Sequence, residues 1–154
     1  EPLRAVLYSL LFSALIVVAL IDWRTFEIPN GLNLAIFLLG AVQLAGDTAH
    51  WKTYLIGMFS VSLLFLLLWF VTKGNGLGMG DVKLMGAAGL LLGWQRILLA
   101  MILGSVSGAI IHSVRMKRGA PRKLAFGPYL AAGIWVAALW GDRLIAAYLG
   151  LFGL

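Results

Sequence analysis

Apolar residues run through this chain in long, nearly unbroken blocks, and polar residues gather in short clusters between them. The first block spans about Leu3 to Ile21 and stops at Asp22-Trp-Arg-Thr-Phe-Glu-Ile-Pro-Asn30. Pro29 has no N–H for a continuing helix and disfavours helical geometry at Ile28, so the chain turns back there. Asn30 is placed to cap a second helix, over Gly31 to Ala45. A polar stretch, Gly46 to Thr53, precedes a third block, Tyr54 to Thr72. Then comes Lys73-Gly-Asn-Gly-Leu-Gly-Met-Gly80, with glycine at every second position, the least helical part of the chain. Asp81 opens a fourth block, Val82 to about Gly93, and Trp94-Gln95-Arg96 interrupts before a fifth, Ile97 to about Val114. The basic run from Arg115 to Lys123 separates it from a last block, Phe126 to Trp140. The apolar tail Leu144 to Leu154 either extends that helix or lies along the membrane interface.

A transmembrane helix needs about 20 apolar residues to cross about 30 Å of hydrocarbon. The blocks therefore predict an all-α fold, a polytopic membrane bundle of about six helices forming one domain over residues 1–154. Composition agrees: 62% of residues are hydrophobic and 12% charged, too little polar surface for a soluble domain of this length. The first block is too long for a cleavable signal peptide and has no small-residue cleavage site after it.

The formal net charge of +6 suggests nucleic acid at first sight, but the basic residues sit in loops between apolar blocks, where membrane orientation accounts for them. If the loop holding Asp22 is cytoplasmic, that side carries Arg24, Lys73, Lys83, Arg115, Lys117, Arg118, Arg122 and Lys123. The other side keeps Arg4, Lys52, Arg96 and Arg143, so the asymmetry places the N-terminus outside. Trp51, Tyr54, Trp94 and Trp140 then form an outer aromatic belt. The partners expected are membrane lipid and a membrane-bound substrate, with no nucleic acid. The chain has no cysteine, and His50 and His112 share no ligand spacing, so neither a metal nor a cofactor is expected.

The six acidic residues are scarce enough to read one by one. Glu1 and Asp47 read as solvated outer residues, and Asp142, next to Arg143, as punctuation of the last helix. Asp22 and Asp81 differ, because each sits where an apolar helix meets the same membrane face, and an ionisable group at the edge of hydrocarbon is costly. Structural readings exist for both: Asp81 as the N-cap of the fourth helix, Asp22 paired with Arg24. The functional reading rests on shared depth and shared side, with irregular glycine-rich backbone adjacent. Such backbone near lipid must be buried in protein or line a wet cavity. Two carboxylates that share one proton divide into a base, which activates water, and an acid, which protonates the carbonyl oxygen and the leaving amine.

Gly78-Met-Gly80-Asp81-Val-Lys83-Leu resembles the Gly-x-Gly-Asp motif of intramembrane aspartic proteases, and Asp22-x5-Ile28-Pro29-Asn30 resembles the other half of the type IV prepilin peptidase signature. Phe126-Gly127-Pro128-Tyr129 is similar to the start of that family's final helix. The resemblance covers nearly the whole chain. It implies Asp22 and Asp81 as the catalytic pair, with Gly78 and Gly80 in a substrate-facing loop. It also implies prepilins or pseudopilins as substrates, cut after a short basic leader that precedes a hydrophobic helix. The setting would be a bacterial or archaeal cytoplasmic membrane, with the cut at its cytoplasmic face. Glu27 is the further acidic residue there, placed to hold a basic leader. Larger members carry an added cytoplasmic region, often with Cys-x-x-Cys pairs, and also N-methylate the new N-terminus. This sequence has no cysteine and no such region, so the expectation is confined to the peptidase.

Helix direction adds a lean in roles: Asp22 at the negative end of the first helix as acid, Asp81 at the positive end of the fourth as base. The rival readings are a non-catalytic transporter or assembly subunit, and a Gly-x-Gly-Asp protease of the signal peptide peptidase kind. A transporter predicts polar mid-membrane residues or repeat symmetry, which the sequence lacks, and the signal peptide peptidase kind has Tyr before its first aspartate where Ile21 stands here. Gly89-x3-Gly93 and Gly104-x3-Gly108 read as internal packing faces.

Overall fold

The computed structural model describes residues 2–74 and 77–154. Glu1, and Asn75 and Gly76 of the glycine-rich segment, lie outside the described residues. Among the described residues six α-helices follow one another: α1 (Pro2–Thr25), α2 (Asn30–Gly46), α3 (Trp51–Thr72), α4 (Met79–Leu92), α5 (Trp94–Lys117) and α6 (Gly127–Leu151), with a 3₁₀ turn at Thr48–His50. The all-α bundle expected from the apolar blocks is therefore the fold observed.

Several helix ends move from their expected places. α1 runs past Asp22 to Thr25, because the stop comes from Phe26, which turns left-handed (φ 59°) and donates its N–H to the Asp22 carbonyl at 2.8 Å. α4 begins at Met79, with extended Gly78 as its cap, so Asp81 lies inside the first turn and is not the N-cap. Pro29 occupies the cap position of α2, and Asn30 accepts a bond from the Lys83 ammonium at 3.0 Å in place of capping. Trp94-Gln95-Arg96 forms the first turn of α5, and the break shrinks to Gly93, whose φ of 90° only glycine adopts freely. The apolar tail continues α6 to Leu151.

α4 is the hub. Eleven of its 14 residues are buried, and it packs against α2, α3, α5 and α6. Its length, about 1.5 Å per residue, comes to about 21 Å, well short of the about 30 Å of a hydrocarbon core. Close approach is built from glycines: a side chain at Gly89 would strike the Gly57 carbonyl of α3, and one at Gly104 would meet the Tyr129 carbonyl of α6 at 3.0 Å. The two sequence spacings thus serve internal packing, except that Gly93 ends a helix.

The outward faces remain apolar, with Leu20, Leu67, Phe70, Val71 and Ile110 each more than half exposed. A soluble monomer does not carry so much contiguous apolar surface. α1, α3, α5 and α6 are long and apolar enough to cross a membrane. Tyr54 departs from the expected aromatic belt: it is buried, accepts a bond from Gln43 at 2.9 Å and donates to Asp47 at 2.8 Å. A hydroxyl with buried polar partners is held inside the bundle. Trp51, Trp94 and Trp140 are exposed as the belt requires.

Candidate active site

Asp22 and Asp81 line one cavity of about 280 Å³, together with Phe26, Glu27, Ile28, Asn30, Gly78, Met79, Gly80 and Lys83. Both carboxylates are buried, at 4% and 7% exposure. All five residues named from the sequence as catalytic or substrate-binding meet here, from two segments about sixty residues apart.

Asp22 reaches the cavity because the buried stripe of α1, Leu7, Leu11, Leu15 and Val18, continues through it. These positions recur every three or four residues, the period of one helix face. Its Oδ2 accepts the backbone N–H of Gly127 at 2.7 Å in a buried setting. Gly127 is the first residue of α6, where N–H groups have no partner within the helix. A side chain at 127 would place its Cβ 2.6 Å from that same oxygen. Arg24 is exposed, and among the described residues Asp22 makes no ion pair with it.

Asp81 occupies the third position of α4 and accepts the Gly78 N–H at 3.2 Å through Oδ2. Its Oδ1 is buried and, among the described residues, has no bond partner. Asp22 remains near the C-terminal end of α1, as the helix-dipole expectation has it, but a second helix end also meets it. Each carboxylate takes an N–H from the N-terminus of a helix, Asp22 from α6 and Asp81 from α4.

The two motifs are also bound to each other. The Asn33 amide donates to the Gly80 carbonyl at 3.3 Å, and Lys83 holds Asn30. A Cβ on Gly80 would come within 3.0 Å of the Ile28 Cβ, so a bare backbone at 80 lets the Asp22 and Asp81 segments close together. Gly78 meets only ordinary contact, its nearest neighbour being Asp81 Oδ2 at 3.4 Å, and its face is open to the cavity. Glu27 is exposed at the rim.

The basic run packs over the end of α1. Arg115 lies 4.2 Å from the Trp23 ring centroid and Lys123 4.7 Å from that of Phe26. His112, buried on α5, bonds through Nε2 with the Arg122 carbonyl at 3.1 Å and so ties the same loop down.

At the opposite end Arg4, Asp47, His50, Tyr54, Arg96 and Asp142 line a separate polar cavity. Asp142 is paired with Arg96 and not with its neighbour Arg143: Nη2 to Oδ2 is 2.6 Å and Nε to Oδ1 is 3.2 Å. Arg96 also donates to the Tyr8 hydroxyl at 2.6 Å, which joins α1, α5 and α6.

Sequence reasoning missed Gly127 as the donor to Asp22 and Asn33 as the support of Gly80. The signal for the first was Gly127-Pro128, since proline, with no N–H that needs an acceptor, marks the first turn of a helix, where the N–H groups have no acceptor within the helix. Asn33, a lone amide in an apolar helix, carried no comparable signal.

A family model described as the type IV leader peptidase family matches residues 9–113, a stretch that holds both aspartates. The chain is 37% identical over 153 residues to the prepilin leader peptidase/N-methyltransferase of Stutzerimonas stutzeri, covering 91% of this chain and 51% of that protein. It is 34% identical over 155 residues to the protein of the same name from Pseudomonas aeruginosa, covering 94% and 52%. The chain thus spans about half the length of these curated relatives. No solved structure is significantly similar to it.

Proposed function

We propose that this chain, which belongs to the type IV leader peptidase family, is a membrane-embedded aspartic endopeptidase. Its substrates on this reading are type IV prepilins or pseudopilins, and it removes their short basic leader at the cytoplasmic face of the membrane. The observation that carries the reading is the meeting of Asp22 and Asp81, from α1 and α4, in one cavity at one end of an apolar bundle.

The chemistry follows from the pair acting as a unit. One carboxylate, ionised, takes a proton from water as the water oxygen bonds to the scissile carbonyl carbon. The other, protonated, gives its proton to the carbonyl oxygen, producing a neutral gem-diol. Collapse breaks the C–N bond: the proton now on the first carboxylate passes to the leaving amine, and the second carboxylate takes a proton back from a gem-diol hydroxyl, which becomes the new carbonyl and restores the dyad. With a helix N-terminus at each carboxylate, the single shared proton belongs to the dyad and to neither residue alone.

Gly127 and Gly78 position the two carboxylates through their N–H groups. Gly78 offers an open edge of backbone against which an extended substrate can lie. Glu27 at the rim attracts the basic leader. The proposal covers leader removal alone; no residue of this chain is assigned to the methyl transfer that appears in the relatives' names.

The test is co-expression with a tagged prepilin in a host lacking its own peptidase, followed by mass measurement of the pilin. The expected product lacks the leader and is cut just before the hydrophobic helix. A pilin that keeps its leader, with the peptidase present at normal level in the membrane, overturns the proposal.

A further inference from the structure

A second cavity opens beside the aspartates, on the outer surface of the bundle. It is a groove of about 440 Å³ between α2 and α3, floored by Gly86 and Ala87 of α4 and walled by Leu34, Phe37 and Met58. It shares Asn30 and Lys83 with the aspartate cavity, and the bond between those two side chains forms the sill between the spaces. From this geometry we infer that the groove seats the first turns of the substrate's hydrophobic helix, immediately after the bond that is cut. The inference rests on the peptidase reading above.

Three observations carry it. The groove is not left over from loose packing, because the same helices close tightly just beyond it. α3 meets α4 at Gly57 and Gly89, and α2 meets α4 where a Cβ on Gly40 would come within 3.0 Å of Leu90. At Gly86, by contrast, a Cβ would make only ordinary contact, 3.4 Å from Ser62 Cβ. A small residue is therefore not required there for packing between helices, yet it deepens the groove.

The second observation is Asn33, 5% exposed, which lines the groove near the sill. Its Nδ2 donates to the Gly80 carbonyl, and that fixes the amide, since a flipped Asn33 would set two acceptors face to face. Oδ1 is thus an acceptor, buried and, among the described residues, without a partner. The first turn of any helix has N–H groups with no partner in the helix, and a substrate helix starting at the cleavage point would bring such donors to Asn33.

The third is continuity and size. From Asn30 to Phe37 the groove follows about two turns of α2, room for about two turns of an apolar helix. A helix seated there would run directly into the cavity of Asp22 and Asp81. A further surface groove, between α1 and α6 at Phe12, Ile16, Pro128 and Trp135, shares no residue with that cavity.

The experiment places a photo-crosslinking benzoylphenylalanine at Leu34, Phe37 or Trp135 in the uncleaving Asp81→Asn protein, co-expressed with a tagged prepilin. Adducts from positions 34 and 37, mapping to pilin residues just after the cleavage point, are expected, with none from 135. An adduct from 135 alone overturns the inference, as does capture of lipid only or of a second copy of this chain at 34 and 37. In the otherwise unaltered protein, Gly86→Leu fills the groove and is expected to raise KM for prepilin at least tenfold, while Ala132→Leu in the other groove leaves it unchanged. An unchanged KM for Gly86→Leu in a cleaving protein overturns the groove and leaves the peptidase reading standing. Failure of the parent itself to cleave prepilin overturns both.

Discussion

The backbone N–H of Gly127, the first residue of α6, donates to Oδ2 of Asp22 in the last turn of α1 at 2.7 Å, and a β-carbon on residue 127 would lie 2.6 Å from that oxygen. One of the two carboxylates of the cavity is thus aimed by the start of the final helix, in a space that only glycine leaves clear. The partner carboxylate is aimed in the same way by the Gly78 N–H at the start of α4.

It follows that Gly127→Ala displaces Asp22 while leaving both aspartates in the chain. Misplacement of a reacting group by about 1 Å costs about 100-fold in rate. The expected outcome is a loss of that order in leader removal, at normal membrane level and with unchanged helix content by circular dichroism.

Asn33→Ala removes the bond that links α2 to the Gly80 carbonyl. A buried hydrogen bond contributes about 1 kcal/mol net. Thermal unfolding in detergent is expected to fall by an amount of that order, together with a reduced cleavage rate, because the same bond fixes the segment carrying Asp81.

The opposite end of the bundle separates stability from chemistry. Arg96→Ala cuts the tie among Tyr8, Asp142 and α5. The expected cost is about 1–2 kcal/mol, at the lower end for charged bonds because Asp142 is 77% exposed and solvent screens it. Activity per folded molecule is expected to stay at the parent level, measured as cleavage normalised to monodisperse protein.

Much of this was legible in the chain, and the remainder was hidden for physical reasons. The apolar blocks set the number and order of helices, since a span declares itself by length and composition. The glycine motif and the Ile28-Pro29-Asn30 turn pointed to both aspartates. Which face of each helix turned inward was not readable, because lipid-facing and core-facing positions are equally apolar: Leu20 is exposed and Val18 buried with nothing in their types to separate them. Partners distant in sequence were hidden too. Asp142 stood beside Arg143 yet pairs with Arg96, and Asp47 looked solvated yet anchors Tyr54.

That last pairing predicts a pH dependence. His50 first, and the Tyr54 hydroxyl second, hold the Asp47 carboxyl below its usual range. A group depressed in the folded state adds stability above its unfolded value, about 3.9, and loses it as pH falls through the folded value. Asp47→Asn removes this contribution. The parent is therefore expected to melt above the variant near pH 6, with the gap narrowing below about pH 4.

The most direct test of the account is the initial rate of leader removal by purified parent, Asp22→Asn, Asp81→Asn and Asp142→Asn proteins on one prepilin. General acid–base groups contribute about 100-fold to 10,000-fold. The account predicts losses in that range for Asp22→Asn and for Asp81→Asn alone, with Asp142→Asn near the parent rate. Either of those two variants cleaving within about tenfold of the parent would contradict it.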